Sequence, residues 1–200
     1  MLYRTLLVLI LSLALAPMAR AADCGDRDCG QPHPEAPAEL AEFAFLIGQW
    51  GCHVKYMNAD WKTYSEGDGT WTAYYMLDGL AIQDDFRGAF APGYIATTFR
   101  AYNVHQGRWN GYWLDGLRGV WSQPLVEHEV DEGIALRTRT KARDPQGEPA
   151  EVLLQYHFYD IQERSFRWRQ KASLDEGKTW IEKTMLIDCK RLEGKASRAR

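Results

Sequence analysis

The chain has 200 residues, 46% of them hydrophobic, with a formal net charge of -3, enough for one domain with its own core. So small a charge leaves no basic excess to hold nucleic acid or a strongly anionic partner by bulk electrostatics.

Arg4 precedes an apolar stretch from Leu6 to Ala16, and Ala19-Arg20-Ala21 has the small-x-small pattern of a signal-peptide cleavage site. The stretch is short for a membrane span. In Ala21-Ala22-Asp23-Cys24, Asp23 stands where a lipoprotein signal needs a small residue. The expectation is a signal peptide over 1–21, cleaved after Ala21, and a soluble exported protein, periplasmic or extracellular, of 179 residues (200 minus 21). A flexible Gly- and Pro-rich leader follows over 22–36, the domain over 37–192, and a frayed basic tail over 193–200.

All four cysteines lie in the mature chain, an even count in an oxidising compartment, which favours two disulfides. Three pairings are possible; the reading takes Cys24 with Cys29 as a local clip and Cys52 with Cys189 as a long-range staple. The alternative is a zinc site from Cys24, Cys29 and His33, which lacks a fourth ligand and has wider cysteine spacing than structural zinc favours.

Pro37 to Phe45 predicts a short helix with Leu40, Phe43 and Ala44 on one face, ended by Gly48. From there the period is two, with turn signals between short runs. The first strand sets Trp50, Cys52, Val54 and Tyr56 inward. The second gives Trp71, Ala73, Tyr75 and Leu77, turns at Asp78-Gly79, and returns as Leu80, Ile82, Asp84 and Phe86. A fourth strand, Tyr94 to Tyr102, has apolar residues on both faces, and its interior stays open. The fifth places Trp109, Gly111 and Trp113 together and closes at Asp115-Gly116; a sixth lies near Val120 to Leu125. Further strands fit Ile134 to Lys141, Val152 to Asp160, Phe166 to Ser173 and Trp180 to Lys190. The last carries Ile181, Met185, Ile187 and Cys189 on one face, broken by Lys183. Cys52 and Cys189 share the inward parity, so a bridge between them sets the first strand beside the last. The expected fold is all-β: a closed antiparallel barrel of about ten strands, lipocalin-like or calycin-like, with one short N-terminal helix.

Gly48-Gln49-Trp50, after a helix and opening the first strand, resembles the lipocalin Gly-x-Trp signature, whose Trp plugs the closed end. Arg191, just past the last strand, is placed to stack on that Trp as the lipocalin arginine does. Ser173-Leu174-Asp175-Glu176-Gly177-Lys178-Thr179-Trp180 matches the Asp-box pattern at every fixed position. In sialidases such boxes recur around a propeller, away from catalysis; a single copy here reads as a structural hairpin. With Phe45 to Trp50, Leu77-Asp78-Gly79 and Arg100-Ala101-Tyr102 leading to Trp109, the chain resembles, over Ala38 to Arg191, a bacterial family of lipocalin-like domains of unknown function, the DUF1579 type. The resemblance implies a calycin-type barrel and assigns no chemistry.

Asp84 is the foremost polar candidate, because a carboxylate among Leu80, Ile82 and Phe86 is costly unless hydrogen-bonded or shifted in pKa. A one-residue slip would put Asp85 inward instead. The expected ligand-binding set is Trp71, Tyr75, Asp84, Trp113, Tyr156, Phe158, Trp168 and Gln170, around a small hydrophobic or aromatic ligand. The alternative is that these aromatics simply fill the barrel. An enzyme reading, isomerase or hydratase, makes Asp84 or Asp115 the acid or base. An envelope-interaction reading uses Arg137, Arg139 and Lys141 with Arg167, Arg169 and Lys171, two basic stripes on strands flanking Val152 to Asp160.

His53, His105 and His157 are scattered, and Glu127-His128-Glu129 alternates faces, so no metal site is read. Nor is any cofactor read. Haem is the nearest candidate, by analogy with the nitrobindins, but their Gly-x-Trp-x-Gly-x-Gly run is replaced by Gly48-Gln49-Trp50-Gly51-Cys52-His53-Val54. The expected state is a monomer with no nucleic-acid partner and no membrane span.

Overall fold

Alternation with period two builds eleven antiparallel strands in the computed structural model, which describes residues 23–25, 28–88 and 93–193. The signal-peptide reading and the tail from 194 onward lie outside the described residues. After a 3-10 helix, Ala38–Leu46, come β1 (Gly48–Met57), β2 (Tyr64–Met76), β3 (Ala81–Gly88), β4 (Ile95–Asn103), β5 (Arg108–Asp115) and the two-residue β6 (Val120–Trp121). Then follow β7 (Leu125–His128), β8 (Ile134–Arg143), β9 (Pro149–Tyr159), β10 (Ser165–Ser173) and β11 (Ile181–Arg191). Successive strands pair as a meander, β5 carries both β6 and β7, and β11 returns to β1. Ten strands thus close the predicted lipocalin-like barrel, with β6 appended to its wall. Among the described residues no helix is long and apolar enough to cross a membrane.

The seam is where the cysteines put it. Cys52 and Cys189 face each other in the β1–β11 register, bonded, with Cα atoms 4.1 Å apart, near the spacing of a non-hydrogen-bonded antiparallel pair. Cys24 and Cys29 are likewise bonded, which removes them as zinc ligands. The leader lies against β2: the Tyr75 N–H donates to Cys29 O at 2.9 Å and the His33 N–H to Gly79 O at 3.1 Å. Gly79 is required there, since a Cβ would sit 2.2 Å from Gln31 O.

The 3-10 helix plugs one end. Its buried residues are Leu40, Phe43 and Leu46, a spacing of three, whereas the predicted Ala44 is exposed; three residues per turn, not 3.6, select that face. Trp50 is fully buried and donates its indole N–H to Leu46 O at 2.8 Å. The Arg191 guanidinium stacks 4.1 Å from the Trp50 ring and donates to Ile47 O and Phe45 O, both at 2.9 Å. One arginine therefore ties the end of the last strand to the plug and to the first strand.

Several local expectations are corrected. Leu77 and Leu80 are exposed, not inward, because Leu77 and Asp78 both take positive φ in a turn that lifts the connection off the barrel. β2 begins at Tyr64, although Ser65 to Thr70 has the composition of a turn. Gly69 is needed within it: a Cβ would meet the Phe86 ring and Arg87 O at 2.7 Å. The single sixth strand is instead two short ones, β6 and β7. Lys183 has φ 63°, and five residues of β11, Ile181 to Met185, span three of β10, Ala172 to Gln170. This bulge turns Lys183 out and Thr184 in, where Thr184 donates to Gln170 O at 2.9 Å.

Candidate functional site

Inside the barrel is a cavity of about 300 Å³. Strand parity brings Trp71, Asp84, Trp113, Tyr156, Phe158, Trp168 and Gln170 onto its wall, seven of the eight residues expected there. In the β9–β10 ladder Phe158 pairs with Trp168 and Tyr156 with Gln170. The Tyr156 and Trp168 rings stack with centroids 5.3 Å apart, and the Trp71 and Phe86 rings meet edge to face with centroids 5.7 Å apart. Burial raises the Tyr156 hydroxyl pKa and pushes that of Tyr94, also on the wall, up to about 12, so both stay protonated. Tyr75 does not line the cavity. Its parity is inward, but it lies beyond Ala73 toward the end covered by the leader and packs against Gly30.

The polar floor is a buried ion pair. Asp84 is 1% and Arg100 3% exposed. One Asp84 oxygen accepts from the Trp71 indole N–H at 2.8 Å and the other from Arg100 Nη2. Asp85, the alternative inward residue, is on the opposite face, so β3 keeps the predicted register. Burial pushes the Asp84 carboxyl up and the Arg100 guanidinium down, each opposed by the other's charge. Beneath the pair, Phe43 of the plug lies 4.7 Å and Phe158 5.6 Å from the guanidinium carbon. Arg100 is the charged residue of the cavity that sequence reasoning missed. β4 hides its interior, since inward Ala96, Thr98 and Arg100 are more polar than outward Ile95 and Phe99. A signal did exist: an inward Asp84 needs a cation, and Arg100 is the one basic residue of the adjoining β4.

Asp115 lies outside the cavity wall and caps a turn. It accepts the N–H groups of Leu117 and Arg118 at 3.0 and 3.1 Å and Arg118 Nη1 at 2.6 Å. Burial pushes its carboxyl up, but these donors and the Arg118 charge outweigh that and hold it below the usual carboxylate range. A carboxylate so held is a poor proton acceptor near neutral pH.

The wall is thinnest beside β8. β7 pairs with β8 only as far as Val126 with Arg137, and β8 continues to Arg143. The loop from β6 bridges the opening through Thr138, whose hydroxyl donates to Gln123 O at 2.9 Å. Val120, Trp121, Ser122, Thr138, Arg139 and Thr140 border both the cavity and an outer groove, and Trp121 is 55% exposed. These six residues form the partition between the interior and the outer groove.

Outside, the Asp-box hairpin covers the face of β8, β9 and β10. Asp175 accepts from Ser173 Oγ, the Thr179 N–H and the Thr179 hydroxyl at 2.8, 2.8 and 2.6 Å. The Thr179 bonds come first among the causes that hold its carboxyl at about 2. The turn lays Trp180 under Lys171 and Arg137, 4.4 and 5.2 Å from its ring, and Glu176 against Arg139. Arg167 pairs with Asp188 at 3.0 Å, so the basic stripes carry a weaker positive field than the sequence suggests. His157, though on this outer face, is only 6% exposed.

Arg169 Nε donates to His157 Nδ1 at 3.2 Å, and His157 Nε2 lies 2.6 Å from Glu132 O. The bonding therefore fixes the neutral Nε2–H tautomer, and burial lowers the pKa below 6.5. Between that lowered value and 6.5 the unfolded chain binds more protons, so the His157 contribution is full above pH 6.5 and declines as pH falls through this window. Imidazole nitrogen shifts are expected to show the Nε2–H tautomer in the neutral form and a His157 titration below that of free histidine. A His157 that titrates at or above the free-histidine value would refute the assignment.

The architecture places the protein in a class, the lipocalin-like closed barrels with an interior cavity. No protein-family model and no curated protein matches the chain. The chemistry of the site is therefore read from its own residues.

Proposed function

We propose that the protein is an exported binding barrel that holds one small apolar or aromatic molecule, and that it belongs with the bacterial lipocalin-like domains of unknown function. The observation that carries this reading is the cavity itself, about 300 Å³ behind a wall of Trp, Tyr and Phe. Small barrels can be packed solid with side chains; here the inward residues leave room at the lower end of the size range of ligand sites. Holding is favoured over turnover because both oxygens of Asp84 are engaged, by Trp71 and by Arg100, leaving no carboxylate poised to exchange a proton with a substrate.

The test is calorimetric titration with indane, a rigid two-ring hydrocarbon, of protein purified with its disulfides formed. Saturable one-to-one binding is expected, abolished by Ala96→Phe, which fills the cavity from β4. Native mass spectrometry with organic extraction is expected to find a bound small molecule in the protein as purified from cells. Absence of saturable indane binding, or binding indifferent to Ala96→Phe, would refute the reading.

A further inference from the structure

Arg100, at the floor of the cavity, has donors to spare. Arg100 Nη2 is bound to Asp84, but Nε and Nη1 donate to no acceptor among the described residues. They are buried and belong to a side chain that lines the cavity. The Asp84 carboxylate, the acceptor beside it, already accepts from Trp71, Thr98 and Arg100 Nη2. Phe43 and Phe158 offer their rings to the guanidinium, which softens the desolvation of its charge but supplies no lone pair. Buried N–H groups left in this condition are costly, and hydrogen bonds from a charged donor are among the stronger ones.

Resting on the reading of the cavity as a binding site, we propose that its ligand is an uncharged ring compound bearing a carbonyl group, with the carbonyl oxygen accepting hydrogen bonds from Arg100. A carbonyl oxygen has two lone pairs and adds no charge. An anion is a poorer occupant, because Asp84 already neutralises Arg100 in direct contact. A second carboxylate beside the first would be repelled in a site screened from water. The flat aromatic walls select the ring, and the floor selects the head.

Three probes of one shape separate these statements: indane, indanone and indane carboxylate. Calorimetry of the wild-type protein is expected to show indanone binding about tenfold to a hundredfold tighter than indane, the span of one good charge-assisted hydrogen bond, with indane carboxylate weakest. In Asp84→Leu/Arg100→Met the ratio of indanone to indane affinity is expected to fall to about one. Isotope-edited infrared spectra give a second readout on the wild type alone, where the bound indanone carbonyl stretch is expected to move to lower wavenumber. Equal or tighter binding of indane, tighter binding of the carboxylate, or an unshifted carbonyl would each overturn this inference and leave the binding barrel standing. Failure of indane to bind saturably would overturn the binding barrel, and this inference with it.

Discussion

Arg100→Met alone is expected to lower the unfolding free energy by about 3–5 kcal/mol, whereas Asp84→Leu/Arg100→Met is expected to remain within about 2 kcal/mol of the wild type. The single change strands a carboxylate that is 1% exposed, with only Trp71 and Thr98 left to favour its charge. The double change removes both charges and adds apolar volume among Trp71, Phe43 and Phe158; its main loss is the acceptor for the Trp71 N–H. Urea denaturation of the two variants measures the difference. If the double variant were as unstable as the single one, the cost would lie in packing, not in an unpaired charge.

Cys52→Ala/Cys189→Ala is expected to cost about 5 kcal/mol on chain-entropy grounds, because the bond closes a sequence separation of 137. The leader clip closes a separation of 5, and its removal is expected to cost about 2 kcal/mol on the same relation. The two pairs thus differ by more than their equal chemistry suggests, and denaturant midpoints of the two double variants rank them. A larger loss from the leader clip would mean that the contacts of Cys29 and Gly30 with Tyr75, rather than loop closure, set its value.

The barrel was legible in the sequence where one face of a strand is plainly more apolar than the other. β1, with Trp50, Cys52 and Val54 buried against Gly51 and His53, announces its inward side, and Cys189 announces the same for β11. Most of the cavity wall follows from parity alone, which is why seven of its aromatic and polar residues could be named. What was hidden obeys other rules. Arg100 sits on an inner face because Asp84 lies diagonally across from it on β3, a pairwise requirement invisible to periodicity within one strand. Gly67 and Gly69 look like turn residues, yet β2 runs through them because Phe86 needs the space above Gly69. Tyr75 has the right parity but the wrong height along the barrel, and height depends on strand tilt, which alternation does not encode. Lys183 contradicted its face because a bulge resets parity within a strand.

The pairing of β1 with β11 also sets an order of events. A nascent chain emerges from its first strand to its last, so the meander can assemble progressively while β1 keeps one edge unpaired until β11 arrives. Arg191 then completes the plug through Trp50, Ile47 and Phe45. Contacts this distant in sequence slow folding. A chain cut short before Ile181 would leave β1 and β10 each with an open edge, the kind that templates aggregation. For this molecule the last dozen described residues decide whether the preceding strands become a vessel or an open sheet.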